Sequence, residues 1–237
     1  MQIKLNQMKK VLELFAGSKS IGRAAKELQY EVFSSDINDF GGIDYVTDIR
    51  DFDTSNVPFV PNILWSSPPC TGFSVAAIGK NWVKGEVFTP KTDSARLGIE
   101  LLDATLKLID YYLKLNPNLV WYIENPRGKM RKSPKLQPSE NIIRHTVTYC
   151  QYGDKRMKPT DIFTNSNSNW TPTRPMCMNY KYNKKGEIIN RHCHHESARR
   201  GAKTGTQGVK SSKFSANHER SKIPSQLCYE ILTQSIK

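Results

Sequence analysis

The chain has 237 residues, 38% of them apolar, enough for one α/β domain of ordinary core size with a small appendage. Its five cysteines, Cys70, Cys150, Cys177, Cys193 and Cys228, are odd in number and dispersed, which argues against a disulfide framework and predicts reduced thiols in the cytoplasm. The formal net charge of +13 is unevenly placed: residues 1–125 hold 13 Lys and Arg against 15 Asp and Glu, and residues 126–237 hold 22 against 7, so one half suits a small molecule and the other a polyanion, most simply nucleic acid.

In chain order, MQIKLNQMKKVLELFAG carries only a short apolar run after Lys9 and Lys10. That is no secretory core, and no later stretch approaches a membrane span, so no membrane partner is expected. Residues 10–15 (KVLELF) predict a short buried strand, AGSKSIG breaks it, and GRAAKELQYE is a run of good helix formers. EVFSSD predicts a second strand ending in an acid, and DYVTDIRDF (44–52) and NILWSSPPC (62–70) predict two more. TDSARLGIELLDATLKLIDYYLKL predicts a long helix with a Thr-Asp-Ser start, apolar positions at Leu97, Leu101, Leu102, Leu106, Ile109 and Leu113, and a stop at Asn116-Pro117. VWYIENP is a further strand ending in charge. Strands alternating with helices predict an α/β fold with a doubly wound, mostly parallel sheet of the Rossmann-like kind.

After Pro126 the texture changes. TVTYCQY (146–152) and DIFT (161–164) predict two further strands, whereas 165–219 is rich in Asn, Ser, Pro, Lys, Arg and Gly with little apolar periodicity. RSKIPSQLCYEILTQSI returns to helix. The expected organisation is a scaffold of residues 1–164 plus 220–237 carrying a small, loop-rich basic region over 165–219.

Each predicted N-terminal strand ends in a residue type suited to chemistry. The first turn, GSKSIG, has Lys19 where a dinucleotide fingerprint has its middle glycine, which disfavours a pyrophosphate cradle. Asp36 closes the second strand 19 residues after Gly17, the distance at which a carboxylate accepts from both ribose hydroxyls. Ile37 can pack on an adenine face and Asp48 can accept from its amino group. A nucleoside pocket without a diphosphate suits S-adenosylmethionine better than NAD, although Asp36 also reads as a helix cap and Gly17 as an ordinary turn.

In SSPPCTGFS the two prolines stiffen the chain and hold Cys70 at the end of a buried strand. Cys70 reads either as a thiol filling a small apolar hole or as a nucleophile. Enzymes that methylate exocyclic amines carry an aromatic residue after the prolines; a thiolate there can instead add to C6 of a cytosine and make C5 an enamine-like carbon. Such addition puts negative charge on the ring, and Glu124 is the candidate to protonate or hydrogen-bond N3.

ELFAGSKSIG, SSDIND, VTDIRDF, SSPPCTGFS, YIENPRG, QYGDKRMKPTDIFTN and RSKIPSQLCYEIL, in this order, resemble the successive motifs of the DNA (cytosine-5) methyltransferases, in particular the short phage-type members. The resemblance implies a class I methyltransferase fold, S-adenosyl-L-methionine as cofactor, double-stranded DNA as partner and a monomer in the host cytoplasm. It makes Cys70 the nucleophile and Glu124 the N3 partner. It places Phe15, Ala16, Gly17, Ser20, Ile21, Asp36, Ile37, Asp48, Ile49 and Pro68 around the cofactor, with Pro69 shaping the loop. Arg156, grouped with the catalytic residues, and Lys158 match the basic pair that holds the flipped cytosine and a nearby phosphate. Ser74, Lys158, Arg199, Arg200, Lys203 and Lys210 are assigned to DNA, the last four flanking the glycine-rich GAKTGTQG, and 165–219 becomes the target-recognition region.

The sequence departs from the family in three places: Lys19 stands for glycine, Glu-Asn-Pro replaces Glu-Asn-Val, and the Tyr-Gly motif lacks the usual Gln-x-Arg-x-Arg. One branch of the family modifies tRNA, so RNA cytosine-5 methylation remains an alternative, as does a catalytically silent DNA-binding relative. Cys177, His192, Cys193, His194 and His195 match no standard zinc module; Cys177 with Cys193 and a histidine could supply ligands, but polar surface or DNA contact is the favoured reading and no metal is assigned there.

Overall fold

The computed structural model describes residues 8–174, 176–177, 181–182, 184–185, 188–190 and 221–236. The first strand, β1 (Lys10–Leu14), lies at the middle of the sheet, because its alternating side chains are buried on both faces: Leu12 and Leu14 join one apolar cluster and Val11 the other. Helix α1 (Ser20–Glu27) follows, then β2 (Glu31–Asp36), a two-residue β3 (Tyr45–Val46), β4 (Ile63–Ser66), a one-turn α2 (Ile78–Asn81) and the long α3 (Asp93–Leu115). After them come β5 (Val120–Pro126), β6 (Ile142–Thr148), β7 (Pro159–Asn165), a small hairpin of β8 (Lys181–Tyr182) and β9 (Ile188–Asn190), and the C-terminal α4 (Ser225–Gln234).

Strands β1 to β7 form one sheet in the order β3-β2-β1-β4-β5-β7-β6. Neighbouring pairs among β1–β5 are parallel, and β7 runs antiparallel to both β5 and β6. The fold is therefore the doubly wound, mostly parallel, Rossmann-like sheet that the alternation of elements predicts. Its topological switch lies between β1 and β4, from which the chain winds outward in both directions, and the carboxyl ends of these strands are where such sheets place ligands.

Helices cover both faces. On one, α3 buries Ala95, Leu101, Leu102, Leu108, Ile109 and Tyr112 against Leu12, Leu64, Trp121 and Ile123. Thr92 caps this helix, its Oγ1 accepting from Ala95 N at 3.4 Å, and the helix stops before Asn116 as the Asn-Pro pair dictates. On the other face, α1 and α4 pack Ile21, Ala25, Leu227, Ile231 and Leu232 against Val11, Ile63, Trp65 and Tyr122.

Three elements differ from their sequence reading. The edge read over 44–52 is a strand only at Tyr45–Val46, because Asp48 accepts from Arg50 N at 2.9 Å and turns the chain into a 3-10 helix. TVTYCQY is strand only to Thr148, and a 3-10 turn closed by Gly153 at φ 91° takes up Tyr149–Tyr152. The first helix begins earlier, at Ser20, and ends at Glu27, with Gln29 at φ 60°.

Candidate active site

The first loop leaves β1 through two non-glycine residues in the left-handed region, Phe15 at φ 55° and Lys19 at φ 48°, a combination that occurs where surrounding contacts force it. One such contact is Gly17 N donating to Asp36 Oδ2 at 3.0 Å; Asp36 Oδ1 accepts from Asn38 N at 3.0 Å. A side chain at Gly17 would be tightly placed, its Cβ 3.0 Å from the Phe40 ring, which would have to give way. Burial raises the Asp36 carboxyl above its ordinary value, and the bonds from Asn38 and Gly17 oppose that rise.

Asp36 opens onto a cavity of about 200 Å³ lined by Phe15, Ser35, Ile37, Thr47, Asp48, Ile49, Arg50, Pro69, Leu97 and Leu101. Five expected cofactor residues, Phe15, Asp36, Ile37, Asp48 and Ile49, thus meet in one place, and the lining fits a nucleoside: an aromatic ring, apolar walls and two carboxylates. Leu97, exposed on α3, lines this cavity, which explains why the apolar stripe of the helix runs past its core-facing positions. Asp48 is less open than expected. Arg50 Nη2 reaches its Oδ2 at 2.7 Å and holds the carboxyl below its usual range, while Arg50 Nη1 bridges to Glu100 at 3.0 Å.

Other expected cofactor residues are placed differently. Ala16 is buried within the loop. Ser20 and Ile21 turn away from the cavity because the phase of α1 points them at the core: Ser20 Oγ accepts from Ile223 N at 3.1 Å, and Ile21 is fully buried among apolar side chains. Pro68 does not line the cavity either, and its neighbour Pro69 does.

The charge that organises this corner is Glu13, which the apolar strand pattern conceals. Its carboxylate is buried under the start of α1, Oε1 accepting from Ile21 N at 3.1 Å and Oε2 from Gly22 N at 2.8 Å, where the helix terminus offers unpaired donors. Burial pushes Glu13 up to about 7 despite these bonds. A Cβ at position 22 would lie 2.6 Å from Glu13 Oε2, which accounts for the last glycine of GSKSIG.

Cys70 is exposed and outside any disulfide. Its carbonyl accepts from Phe73 N at 3.0 Å and Ser74 N at 2.8 Å, which coils the chain immediately after the prolines. Trp82 Nε1 and Asn81 Nδ2 then hold the Gly72 carbonyl at 2.8 and 3.3 Å, and Phe73 stacks on Trp82. Ser74 is half-buried in this coil.

The parallel register pairs Ser66 of β4 with Ile123 of β5, so the Cys70 loop and the Glu124-Asn125-Pro126 segment continue side by side at the same sheet edge. Asn125 joins them directly, its Nδ2 donating to the Pro68 carbonyl at 2.8 Å in a fully buried position. Lys129 N donates to Phe73 O at 2.7 Å as a second link. Glu124 is 4% exposed. Tyr149 Oη donates to its Oε1 at 2.9 Å, and Lys158 Nζ lies 3.8 Å from the same oxygen.

The two basic residues of the Tyr-Gly motif therefore take different places from those assigned. Lys158, expected at DNA, faces Glu124 and sits 4.6 Å over the Tyr149 ring. Arg156, expected beside the catalytic pair, forks onto Asp154 at 2.9 and 2.6 Å. The cause is local: Asp154 accepts the Arg156 backbone as well as its side chain, and Lys158 at φ 26° re-aims the chain as β7 begins. Tyr149, Asn125 and the ion pair of half-buried Arg131 with buried Asp161, at 2.6 Å, went unnoticed in the sequence because nothing in their spacing marks them. Arg199, Arg200, Lys203 and Lys210 lie outside the described residues, as do His192, Cys193, His194 and His195; Cys177 is buried.

No protein-family model matches the chain. It is 29% identical over 151 residues to a probable DNA (cytosine-5)-methyltransferase of Frog virus 3, a match spanning 61% of this chain and 64% of the viral protein, less than two thirds of that relative's length. Among solved structures it is similar to the Entamoeba histolytica methyltransferase EhMeth, at 15% identity and a TM-score of 0.46 over 72% of this chain and 55% of that one. It is also similar to the S. pombe Dnmt2 methyltransferase, at 18% identity and a TM-score of 0.43 over 67% and 49%. The resemblance that the motifs carry to the DNA (cytosine-5) methyltransferases is thus met by a relative of that description.

Proposed function

We propose that this chain is a DNA cytosine-5 methyltransferase, acting on a cytosine swung out of a duplex. One observation carries the reading: the Asn125 to Pro68 bond of 2.8 Å ties the loop of an exposed thiol to the strand of a buried acid, at the sheet edge that also holds the Asp36 cavity.

S-adenosylmethionine, when bound, supplies an electrophilic methyl group. Asp36, Ile37, Phe15 and the backbone of Gly17 would hold its nucleoside. Cys70 attacks C6 of the pyrimidine as a thiolate; because a free thiol titrates near 8.5, its proton has to leave before or during attack. The electron pair displaced from the ring's double bond makes C5 nucleophilic, and Glu124 stabilises the negative charge at N3 by a proton or a hydrogen bond. Once C5 has taken the methyl, with S-adenosylhomocysteine as the leaving group, and has given its proton to a solvent base, the Cys70 sulfur is expelled as thiolate by β-elimination and the ring's double bond returns.

Extruding the base costs a few kcal/mol, which phosphate contacts from a basic surface offset. The excess of Lys and Arg after residue 125 supplies that surface, with 165–219 as the target-recognition region and Arg199, Arg200, Lys203 and Lys210 its candidate contacts. Lys158 is better placed to act at Glu124 than at a phosphate.

The test offers duplex DNA and structured RNA separately with a methyl-labelled donor. Label on C5 of cytosine in the duplex supports the reading, label in RNA alone replaces the substrate, and no label in either polymer overturns it.

A further inference from the structure

We infer that Tyr149 is a positioning residue for Glu124, dividing the work of its two carboxylate oxygens; this rests on the methyltransferase reading above. The terminal torsion of a glutamate is broad, so burial alone does not decide which oxygen faces a substrate. Among the described residues, one hydrogen bond and one ion pair reach the carboxylate, and both reach Oε1. Tyr149 Oη donates at 2.9 Å, within hydrogen-bond range, whereas Lys158 Nζ at 3.8 Å contributes charge without a directed bond. Orientation therefore falls to the phenol, which leaves Oε2 to meet N3 of the base.

Tyr149 is itself over-determined. It is fully buried, its backbone N donates to Met157 O at 2.9 Å across the loop between β6 and β7, and Lys158 covers its ring at 4.6 Å. Burial, with the Glu124 charge beside it, keeps the phenol well above its ordinary value, so it remains a donor throughout the working pH range. Phenylalanine would fill the same volume without the donor.

The experiment compares wild type, Tyr149→Phe, Glu124→Gln and the double variant in single-turnover methylation of a duplex, with KM for DNA, cofactor affinity and thermal midpoint measured in parallel. A hydrogen bond to a charged group predicts a loss of roughly 10- to 100-fold in kcat for Tyr149→Phe at unchanged KM and cofactor affinity, with a midpoint that falls but leaves the variant folded at the assay temperature. In the Glu124→Gln background the same change is expected to cost less than about 2-fold, because the two residues act as one unit. A wild-type kcat in Tyr149→Phe, an equal loss in both backgrounds, or a loss explained by unfolding at the assay temperature overturns the role of Tyr149 while leaving the methyltransferase reading intact. A wild-type protein that methylates no cytosine overturns both.

Discussion

The side-chain amide of Asn125 donates to the carbonyl of Pro68 at 2.8 Å, joining the loop that carries the candidate nucleophile to the strand that carries its acid. Asn125→Ala removes that link without touching either reacting group. Stability is expected to fall by about 1–3 kcal/mol, the usual cost of breaking a buried hydrogen bond. Methylation should slow by more than roughly 10-fold, since small displacements of a positioned pair are expensive. Cofactor affinity, measured by calorimetry, should stay at the wild-type value.

Asp36 holds the first loop as well as facing the cavity. Asp36→Ala deletes the acceptor of Gly17 N and Asn38 N together with the proposed ribose ligand. A drop of roughly 10- to 100-fold in S-adenosylmethionine affinity is expected, from two lost charge-assisted bonds partly replaced by water. Equilibrium binding of the cofactor checks it, and an unchanged affinity would place the nucleoside elsewhere.

Glu13 gives the fold a pH dependence with a defined sign. Its folded-state value of about 7 lies above the ordinary 4.5, so the folded protein binds this proton more tightly than the unfolded chain. Its contribution to stability is therefore fully present below about 4.5 and is lost as pH rises toward 7, by roughly 3 kcal/mol if the whole shift is expressed. Denaturant unfolding of wild type and Glu13→Gln at intervals from pH 4.5 to 8 measures this. The difference in stability, wild type minus variant, should decline across the window and then level off.

The basic half of the chain should make duplex binding electrostatic. Affinity for a non-specific duplex is expected to fall at least roughly 100-fold between about 50 and 200 mM salt, through counterion release. Fluorescence anisotropy across that range decides it, and a flat response would argue against a nucleic-acid partner.

The parallel strands and the long helix were legible because their signals are local: apolar runs ending in Asp36, Ser66 and Glu124, and a Thr92 cap answered by Asn116-Pro117. The meeting of Phe15, Asp36, Ile37, Asp48 and Ile49 at one cavity follows from the same topology, since each closes or follows a strand at one sheet edge. Helical phase was not legible at α1, which is why Ser20 and Ile21 face the core. Nor were the tertiary contacts of Asn125, Tyr149 and Glu13, whose partners are 57, 25 and 8 or 9 residues away and are chosen by packing. That Lys158 faces Glu124 while Arg156 turns onto Asp154 depends on the Asp154 turn and the unusual φ of Lys158, neither of which a motif records.

The most direct test of the proposed chemistry is trapping of the Cys70 adduct. A duplex carrying 5-fluorocytosine at the target site blocks the final elimination, because the fluorine on C5 cannot leave as a proton does. Incubated with the protein and S-adenosylmethionine, it should give a denaturation-resistant protein–DNA complex, absent in Cys70→Ser although that variant keeps its fold and its cofactor affinity. A methylating wild type that forms no such complex, or a complex that persists in Cys70→Ser, would contradict the mechanism.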